Sequence, residues 1–229
     1  AINKETVLEW KSALTEQGYC PSTVNSMLAA VNKFFACMGF DKYKVRYLRL
    51  QRRVFSHPGR ELTRQEYCTL VDTAYRTGNE RLGLLMETIC ATGIRVSEVK
   101  YITVEAVRKG MAEVALKGKI RTILLSNKLC RKLLKYAGKQ KIASGEIFIT
   151  RSEKGLSRKF IWAEMKKLGR QAGIAGSKLF PHNLRHLFAR TFYQVSLDVV
   201  KLANVLGHAS IETTRIYIMT TGTEHRRKI

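Results

Sequence analysis

The chain has 229 residues, of which 41 are Lys or Arg and 18 are Asp or Glu, so its formal net charge is +23 at pH 7. Such an excess exceeds what solubility requires and indicates a polyanionic partner, for which we favour nucleic acid over the alternative of a merely basic housekeeping protein. The sequence contains no run of about 18 apolar residues and no signal peptide, which disfavours a membrane partner, and its five scattered cysteines favour a reducing cytosol over disulfides or a zinc site.

The first 50 residues predict two helices, joined at residues 18–22. The first carries Val7 and Leu14, and the second carries Val24, Leu28 and other apolar residues at helical spacing. Because two helices are few for an independent domain, we expect residues 1–50 to be the later part of a helical DNA-binding domain.

A basic stretch follows, KYKVRYLRLQRRVFSHPGR at residues 42–60, with seven Lys or Arg and no acidic residue. It is typical of an interdomain linker that follows a phosphate backbone, and a solvated basic loop is the alternative. We place the linker at residues 51–60 and a second domain at residues 61–229.

The second domain opens with two predicted helices. Thr63 and Glu66 form a capping box, with Leu62 as its hydrophobic staple, and predict a helix that ends near residue 76. The next helix begins near residue 79 and ends at Gly93. We expect Arg95 in the turn that follows, and Ser97 as the cap of a short helix.

The middle of the chain predicts a small antiparallel sheet. Alternating residues give strands at 111–116 and 120–125 around a turn at 117–119, and residues 146–150 suggest a third strand. Two basic helices are expected at 127–136 and 157–172. The fold class is therefore mainly α with a small antiparallel sheet, α+β.

The segment FPHNLRHLFARTFYQVSLDVVKLANVLGHASIETTRIYI, residues 180–218, concentrates the chemistry. His182 and Arg185 share a face at the start of a helix, which is a ready anion site. Gly207 at a helix end presents His208 from a tight turn. Tyr217 falls on a hydroxyl stripe of the last helix, which predicts a surface position. Together these groups indicate a device that handles a phosphate.

Five segments carry a resemblance to a known family: ATGIRVSEV (91–99), LKGKIR (116–121), HNLRH (182–186), LGH (206–208) and TTRIY (213–217). They resemble the successive boxes of tyrosine recombinases, the integrases and Xer-type enzymes of phages, conjugative transposons and chromosomes. The resemblance covers nearly the whole chain, with residues 1–50 similar to the latter part of the core-binding domain.

The resemblance implies a site-specific DNA recombinase that cuts and rejoins double-stranded DNA through a 3′-phosphotyrosyl intermediate. It further implies integration or excision of a mobile element, a homo-tetramer on DNA, accessory DNA-bending or directionality factors, no cofactor or metal, and work on the bacterial nucleoid in the cytoplasm. A type IB topoisomerase-like enzyme and a non-catalytic DNA-binding protein on the same scaffold are the alternatives.

The resemblance also implies a role for each site residue. Tyr217 would be the nucleophile and His182 its general base, while Arg95 and Arg185 would bind the non-bridging phosphate oxygens. His208 would donate a further hydrogen bond. Lys117 would protonate the leaving 5′-oxygen, with Lys119 as the alternative, because the family's lysine directly precedes a glycine.

Two further residues receive supporting roles. Glu98 is expected to hold Arg95 in place. His186 lies four residues after His182, so the pair could be interpreted as a metal site. No third ligand is obvious, and we expect His186 to be a packed residue that supports the site.

Overall fold

The computed structural model describes residues 2–50, 58–116 and 119–218, and the chain divides into two compact units at residues 1–54 and 55–229. In the first unit, two helices are described: α1 (Lys4–Glu16) and α2 (Pro21–Cys37). The second unit contains α3 (Arg64–Arg76), α4 (Glu80–Thr92), α5 (Val104–Lys109), β1 (Met111–Leu116), β2 (Lys119–Leu124), α6 (Asn127–Lys139), α7 (Arg158–Gln171), α8 (Pro181–Ser196), α9 (Val199–Leu206) and α10 (Ile211–Ile218). The mainly helical class is confirmed. No described helix has both the length and the apolar character that crossing a membrane requires.

The first unit is held by a small apolar cluster and by two asparagines. Val24, Leu28 and other residues at helical spacing form the cluster between α1 and α2, as the pattern predicts. The side chain of Asn32 both donates to and accepts from the backbone of Val45, and Asn25 does the same with Leu48. Residues 43–48 of the basic stretch therefore pack on α2, while residues 51–57 of the expected linker lie outside the described residues.

The second unit begins with the predicted helix pair. The capping box is present, since Glu66 N–H donates to Thr63 Oγ1 and Thr63 N–H donates to the Glu66 carboxylate. Helix α4 is buried on most sides and ends at Gly93, whose φ of +65° lies in the left-handed region. A Cβ at Gly93 would lie 2.4 Å from the ring of Phe188, so glycine also permits α4 to approach α8 closely.

The hairpin of β1 and β2 is antiparallel, with Met111 opposite Leu124 and Val114 opposite Arg121. One face is buried on the main core, with Ala112, Val114 and Ile123 inside, because side chains alternate between the two faces of a strand. The predicted third strand at residues 146–150 is wrong. Its residues make isolated bridges, from Glu146 to Thr103 and from Ile149 to Gly155, and the described sheet has two strands.

The last three helices form a compact arrangement at one end of the unit. Pro181 occupies the first turn of α8, and Gly207 ends α9 with a φ of +66°, both as predicted. Helix α10 packs on α8 and α9 through an apolar cluster that includes Ala189, Leu202 and Leu206. Tyr217 belongs to this cluster, so its helix is fixed against the other two.

Candidate active site

Tyr217 points inward from α10 towards the start of α8. The residue is 6% exposed, and its hydroxyl lies 3.1 Å from Nε2 of His182. Its ring stacks on the imidazole of His186, with the ring centroids 4.3 Å apart and an interplanar angle of 30°. The stripe is exposed at Ser210 and Thr213, but Thr214 and Tyr217 are buried, so the predicted surface position of Tyr217 is wrong. Polar partners from α8 and the α9 turn make the inward position favourable.

His182 is placed to accept the proton of Tyr217. Although the residue as a whole is exposed, its ring nitrogen meets the Tyr217 hydroxyl and its ring edge meets His186, with centroids 4.8 Å apart. Partial desolvation of the ring, and then the charges of Arg185, Arg158 and Arg95, lower the pKa of His182. A neutral imidazole with an unprotonated Nε2 is the form that a general base requires.

Arg185 is the largest of the fully buried side chains, with 1% exposure. Its guanidinium donates to the carbonyl of Gly93 at the end of α4 and, at 2.8 Å, to the carbonyl of Leu206 at the end of α9. A cation between two helix C-termini is favoured, because the carbonyls there carry partial negative charge. The Nε–H is buried and has no hydrogen-bond partner among the described residues.

His208 follows Gly207 and lies between Arg185 and Thr214. Its Nε2 is 2.9 Å from Nη2 of Arg185, and its Nδ1 is 2.9 Å from Oγ1 of Thr214. Because a guanidinium has no acceptor, Nε2 must accept, which leaves Nδ1 as the protonated nitrogen. Desolvation, followed by the charges of Arg185, Arg95 and Arg121, lowers the pKa of His208 to about 4. In this state Nε2 is an acceptor, so donation to a phosphate requires that it first gain a proton.

Arg95 and Glu98 form a pair at the edge of the site. Arg95 Nη1 lies 2.7 Å from Glu98 Oε1, and the backbone N–H of Arg95 donates to Oε2 at 2.8 Å. Glu98 is 1% exposed, so the carboxylate is fixed beneath the more exposed arginine. The predicted cap at Ser97 is wrong, since the helical turn Val96–Tyr101 begins directly after Arg95, and Glu98 accepts the backbone N–H of this capping residue.

Three of the predicted site residues line one cavity of about 470 Å³. Arg95, His182 and Arg185 line it, together with Arg158 and Trp162 from α7. The cations in the wall of this cavity suit it to a phosphate group.

Sequence reasoning assigned no role to Arg121, which the structure brings into the site. Its guanidinium is ion-paired with Glu98 and donates to the carbonyl of Val205 at 3.0 Å. Arg121 lies on the same face of its strand as Ile123 and Leu125, both buried. A charged residue in an inward-facing position is the sequence signal that could have identified it.

The lysine of the site cannot be compared with its prediction. Lys117 and Gly118 lie outside the described residues, and the same is true of the Lys119 side chain, although its backbone begins β2. The described residues hold no group of three or more His, Cys, Asp or Glu placed to bind a metal ion. Burial and the nearby His182 and Arg185 lower the pKa of His186 to about 4, which suits a neutral packed ring.

Comparison with known proteins adds relatives and structural neighbours. The phage integrase family matches residues 60–223. Tyrosine recombinase XerA of Pyrococcus furiosus is 31% identical over 222 residues, which is 93% of this chain and 75% of the relative. Tyrosine recombinase XerD of Brucella melitensis is 30% identical over 230 residues, 89% of this chain and 74% of the relative.

Two solved structures share the fold at low sequence identity. The XerH recombinase bound to a palindromic difH substrate, a post-cleavage complex, gives a TM-score of 0.78 at 20% identity, covering 99% of this chain and 69% of that one. The Tn1549 transposon integrase in complex with circular intermediate DNA gives a TM-score of 0.75 at 15% identity, covering 100% of this chain and 84% of that one.

Proposed function

The chain belongs to the phage integrase family and is a tyrosine recombinase, and from that premise we propose how its residues cut and rejoin double-stranded DNA at specific sites. The observation that carries the proposal is the contact between the Tyr217 hydroxyl and His182 of the same chain. It places a nucleophile and a base within hydrogen-bond reach, beside a cavity lined by arginines.

In the cleavage step, the Tyr217 oxygen attacks the scissile phosphorus while its proton passes to Nε2 of His182. The bond from phosphorus to the 5′-oxygen breaks, and this oxygen takes up a proton, for which Lys117 is the proposed donor. The products are a 3′-phosphotyrosyl bond and a free 5′-hydroxyl. Since the covalent bond preserves the phosphodiester energy, attack by a 5′-hydroxyl reverses the step and reseals the strand.

Arg95 and Arg185 are the proposed ligands of the non-bridging oxygens. Both side chains line the cavity. Negative charge grows on these oxygens in the pentavalent transition state, where fixed cations are most effective. A phosphate beside Arg185 would also raise the pKa of His208, which would allow that ring to become the predicted donor.

Binding to the duplex follows from the charge of the whole chain. On helix α7, Lys159 lines the cavity beside Arg158, and Lys166, Lys167 and Arg170 are exposed further along the helix. We propose that residues 1–50 form a partial core-binding domain, that residues 51–60 form the linker, and that residues 61–229 form the catalytic domain of a clamp on DNA. Affinity should then fall steeply with salt, because each neutralised phosphate releases counterions.

Recombination of two duplexes requires four cleavage events, which fits a homo-tetramer on DNA. We propose the integration or excision of a mobile element as the biological task, since the neighbours include a transposon integrase. Directionality would then come from accessory DNA-bending factors, and the work would take place on the nucleoid in the cytoplasm.

The test is a covalent adduct that survives SDS. The protein is incubated in EDTA with a pool of nicked duplexes of randomised sequence, and trapped DNA is recovered and sequenced. Wild-type protein should form an adduct that maps to Tyr217, while Tyr217→Phe should form none and still bind the recovered site.

Tyr193→Phe is the matched control, because Tyr193 is a half-buried tyrosine of α8 that packs on the same cluster. It should form the adduct at the wild-type rate. Absence of any wild-type adduct, or an adduct that persists in Tyr217→Phe, would contradict the proposal.

A further inference from the structure

The side chain of Arg121 leaves the hairpin and joins two separate parts of the site. Its Nη2 is ion-paired with Glu98 Oε2, and its Nη1 donates to the carbonyl of Val205 at 3.0 Å. The side chain is 12% exposed, so both contacts lie largely out of solvent. The two terminal nitrogens of one guanidinium therefore bind different elements: Glu98, which follows α4, and the last turn of α9.

Through Glu98, Arg121 affects the position of Arg95. The carboxylate receives one arginine on each oxygen, Arg95 on Oε1 and Arg121 on Oε2, and Oε2 also accepts the backbone N–H of Arg95. Because the carboxylate is buried, Arg121 fixes the plane in which Glu98 presents Oε1. The orientation of the Arg95 guanidinium in the cavity follows from that plane.

Through Val205, Arg121 affects the turn that carries His208. Val205 and Leu206 are the last two residues of α9, and their carbonyls are bound by Arg121 and Arg185 respectively. Gly207 lies directly on Arg121, since a Cβ there would be 2.6 Å from its Cδ. The turn at Gly207 therefore packs directly against the Arg121 side chain.

We propose that Arg121 is a positioning residue of the recombination site, which fixes Arg95 through Glu98 and the His208 turn through Val205. The proposal rests on the function proposed above. Arg121 lies two residues beyond the start of β2 at Lys119, so the same residue connects this strand to the anion-binding groups.

The charges of the cluster agree with this role. Arg95, Arg121 and Arg185 carry three positive charges against the one negative charge of Glu98, and Arg158 and Lys159 in the cavity wall add two more, so the net charge of the site is positive. Attack by tyrosine on a phosphodiester monoanion, with the proton removed, gives a transition state with two negative charges. A lysine at position 121 would keep the charge but would lack the planar fork that serves two partners at once.

The experiment measures adduct formation in a single turnover on the site recovered from the randomised pool. Arg121→Gln and Arg121→Lys should both slow cleavage, by on the order of 10–100-fold, as the loss of an outer partner of a site residue commonly does. Affinity for the same DNA, measured by fluorescence anisotropy, should stay at the wild-type level, because Arg121 is proposed to act only after binding. Arg76→Gln, an exposed arginine of α3, and Thr122→Ala, an exposed neighbour on β2, should cleave normally.

A second readout separates positioning from a general structural effect. If part of the effect of Arg121 passes through Glu98, the loss in the double variant Glu98→Gln with Arg121→Gln should be smaller than the product of the two single losses. Thermal unfolding establishes that each variant is folded. If Arg121→Gln does not fold, the cleavage rate of Arg121→Lys tests the proposal in its place.

Four outcomes would each overturn the assignment. Two of them are cleavage at the wild-type rate by Arg121→Gln and full activity of Arg121→Lys. The other two are a double-variant loss equal to the product of the single losses, and a loss of DNA affinity as large as the loss of cleavage rate. The wild-type adduct keeps the two proposals distinguishable. Without that adduct the proposed function fails, whereas normal cleavage by the Arg121 variants removes only the role of this residue.

Discussion

The second unit contains two buried regions that are held together by different forces. The main core is made of residues such as Leu85, Ile89 and Phe148, which are almost fully inaccessible and contact other apolar side chains. The site beside it buries Glu98, Arg185 and Thr214 as completely. Burial alone therefore does not distinguish the two regions.

The difference lies in what each buried group has for a partner. A core residue gains free energy from the apolar area removed from water, about 25 cal/mol per Å². A buried guanidinium instead costs desolvation, which its hydrogen bonds to Gly93, Leu206 and His208 must offset. We conclude that the core mainly supplies stability, while the site uses part of that stability to keep charged groups in place for phosphate chemistry.

Arg185→Gln should show the largest effect in this comparison. It removes a buried cation that the cavity presents to a phosphate, so adduct formation should fall by on the order of 10²–10³-fold, as for the loss of a transition-state donor. Stability should fall by about 1–3 kcal/mol, because carbonyls lose a donor. Adduct kinetics and urea unfolding measure the two effects. Cleavage within a few-fold of wild type would contradict the division between site and core.

Leu85→Ala tests the other region. Deleting a fully buried leucine should lower the free energy of unfolding by about 2–5 kcal/mol, through lost transfer energy and the cavity left behind. Cleavage per folded molecule should stay at the wild-type level at a temperature where the variant is folded. Leu124→Ala, at a residue that is 75% exposed, is the control and should unfold like wild type.

Gly93→Ala acts where the two regions meet. The left-handed backbone costs a non-glycine residue about 1–2 kcal/mol, and the Cβ would also overlap the Phe188 ring at 2.4 Å, which adds about 1–3 kcal/mol. Gly110→Ala is the matched control, since Gly110 has a φ of +73° and no atom within 4 Å of the added Cβ. Urea unfolding should show the larger loss for Gly93→Ala. Equal losses would mean that close packing at Gly93 contributes nothing.

The pH dependence of stability should also come from the site. His186 and His208 have folded pKa values of about 4, below the usual 6.5, so the unfolded chain binds more protons between these values. Their contribution is fully present above pH 6.5 and is lost as the pH falls towards 4. Urea midpoints from pH 7 to pH 5 should decline, and the double variant His186→Asn with His208→Asn should decline less. Parallel slopes would contradict neutral histidines in the site.

The sequence was informative where a local rule fixes the backbone. The capping box at Thr63, the glycine ends at Gly93 and Gly207, and Pro181 at the start of α8 all depend on residues within a turn of each other. Periodicity also grouped Thr214 with Tyr217 on one face.

Long-range partners were not predictable in the same way. Helical periodicity does not show which face of a helix is covered by other elements, which is why it predicts a surface position for Tyr217. The contact of Tyr217 is with His182, 35 residues earlier in the chain. Arg121 was overlooked because its partners, Glu98 and Val205, belong to other elements. The residues 146–150 alternate like a strand but find no continuous strand partner among the described residues.

The central claim is that one chain holds both the nucleophile and the groups that activate the phosphate. It is tested most directly by mixing equal amounts of Tyr217→Phe and Arg185→Gln with the nicked site and measuring the covalent adduct. If Tyr217 works with Arg185 and His182 of its own chain, no protomer in the mixture is complete, and the yield should stay at the level of Arg185→Gln alone. An adduct restored towards the wild-type yield would show that the nucleophile comes from another protomer, and would contradict the account.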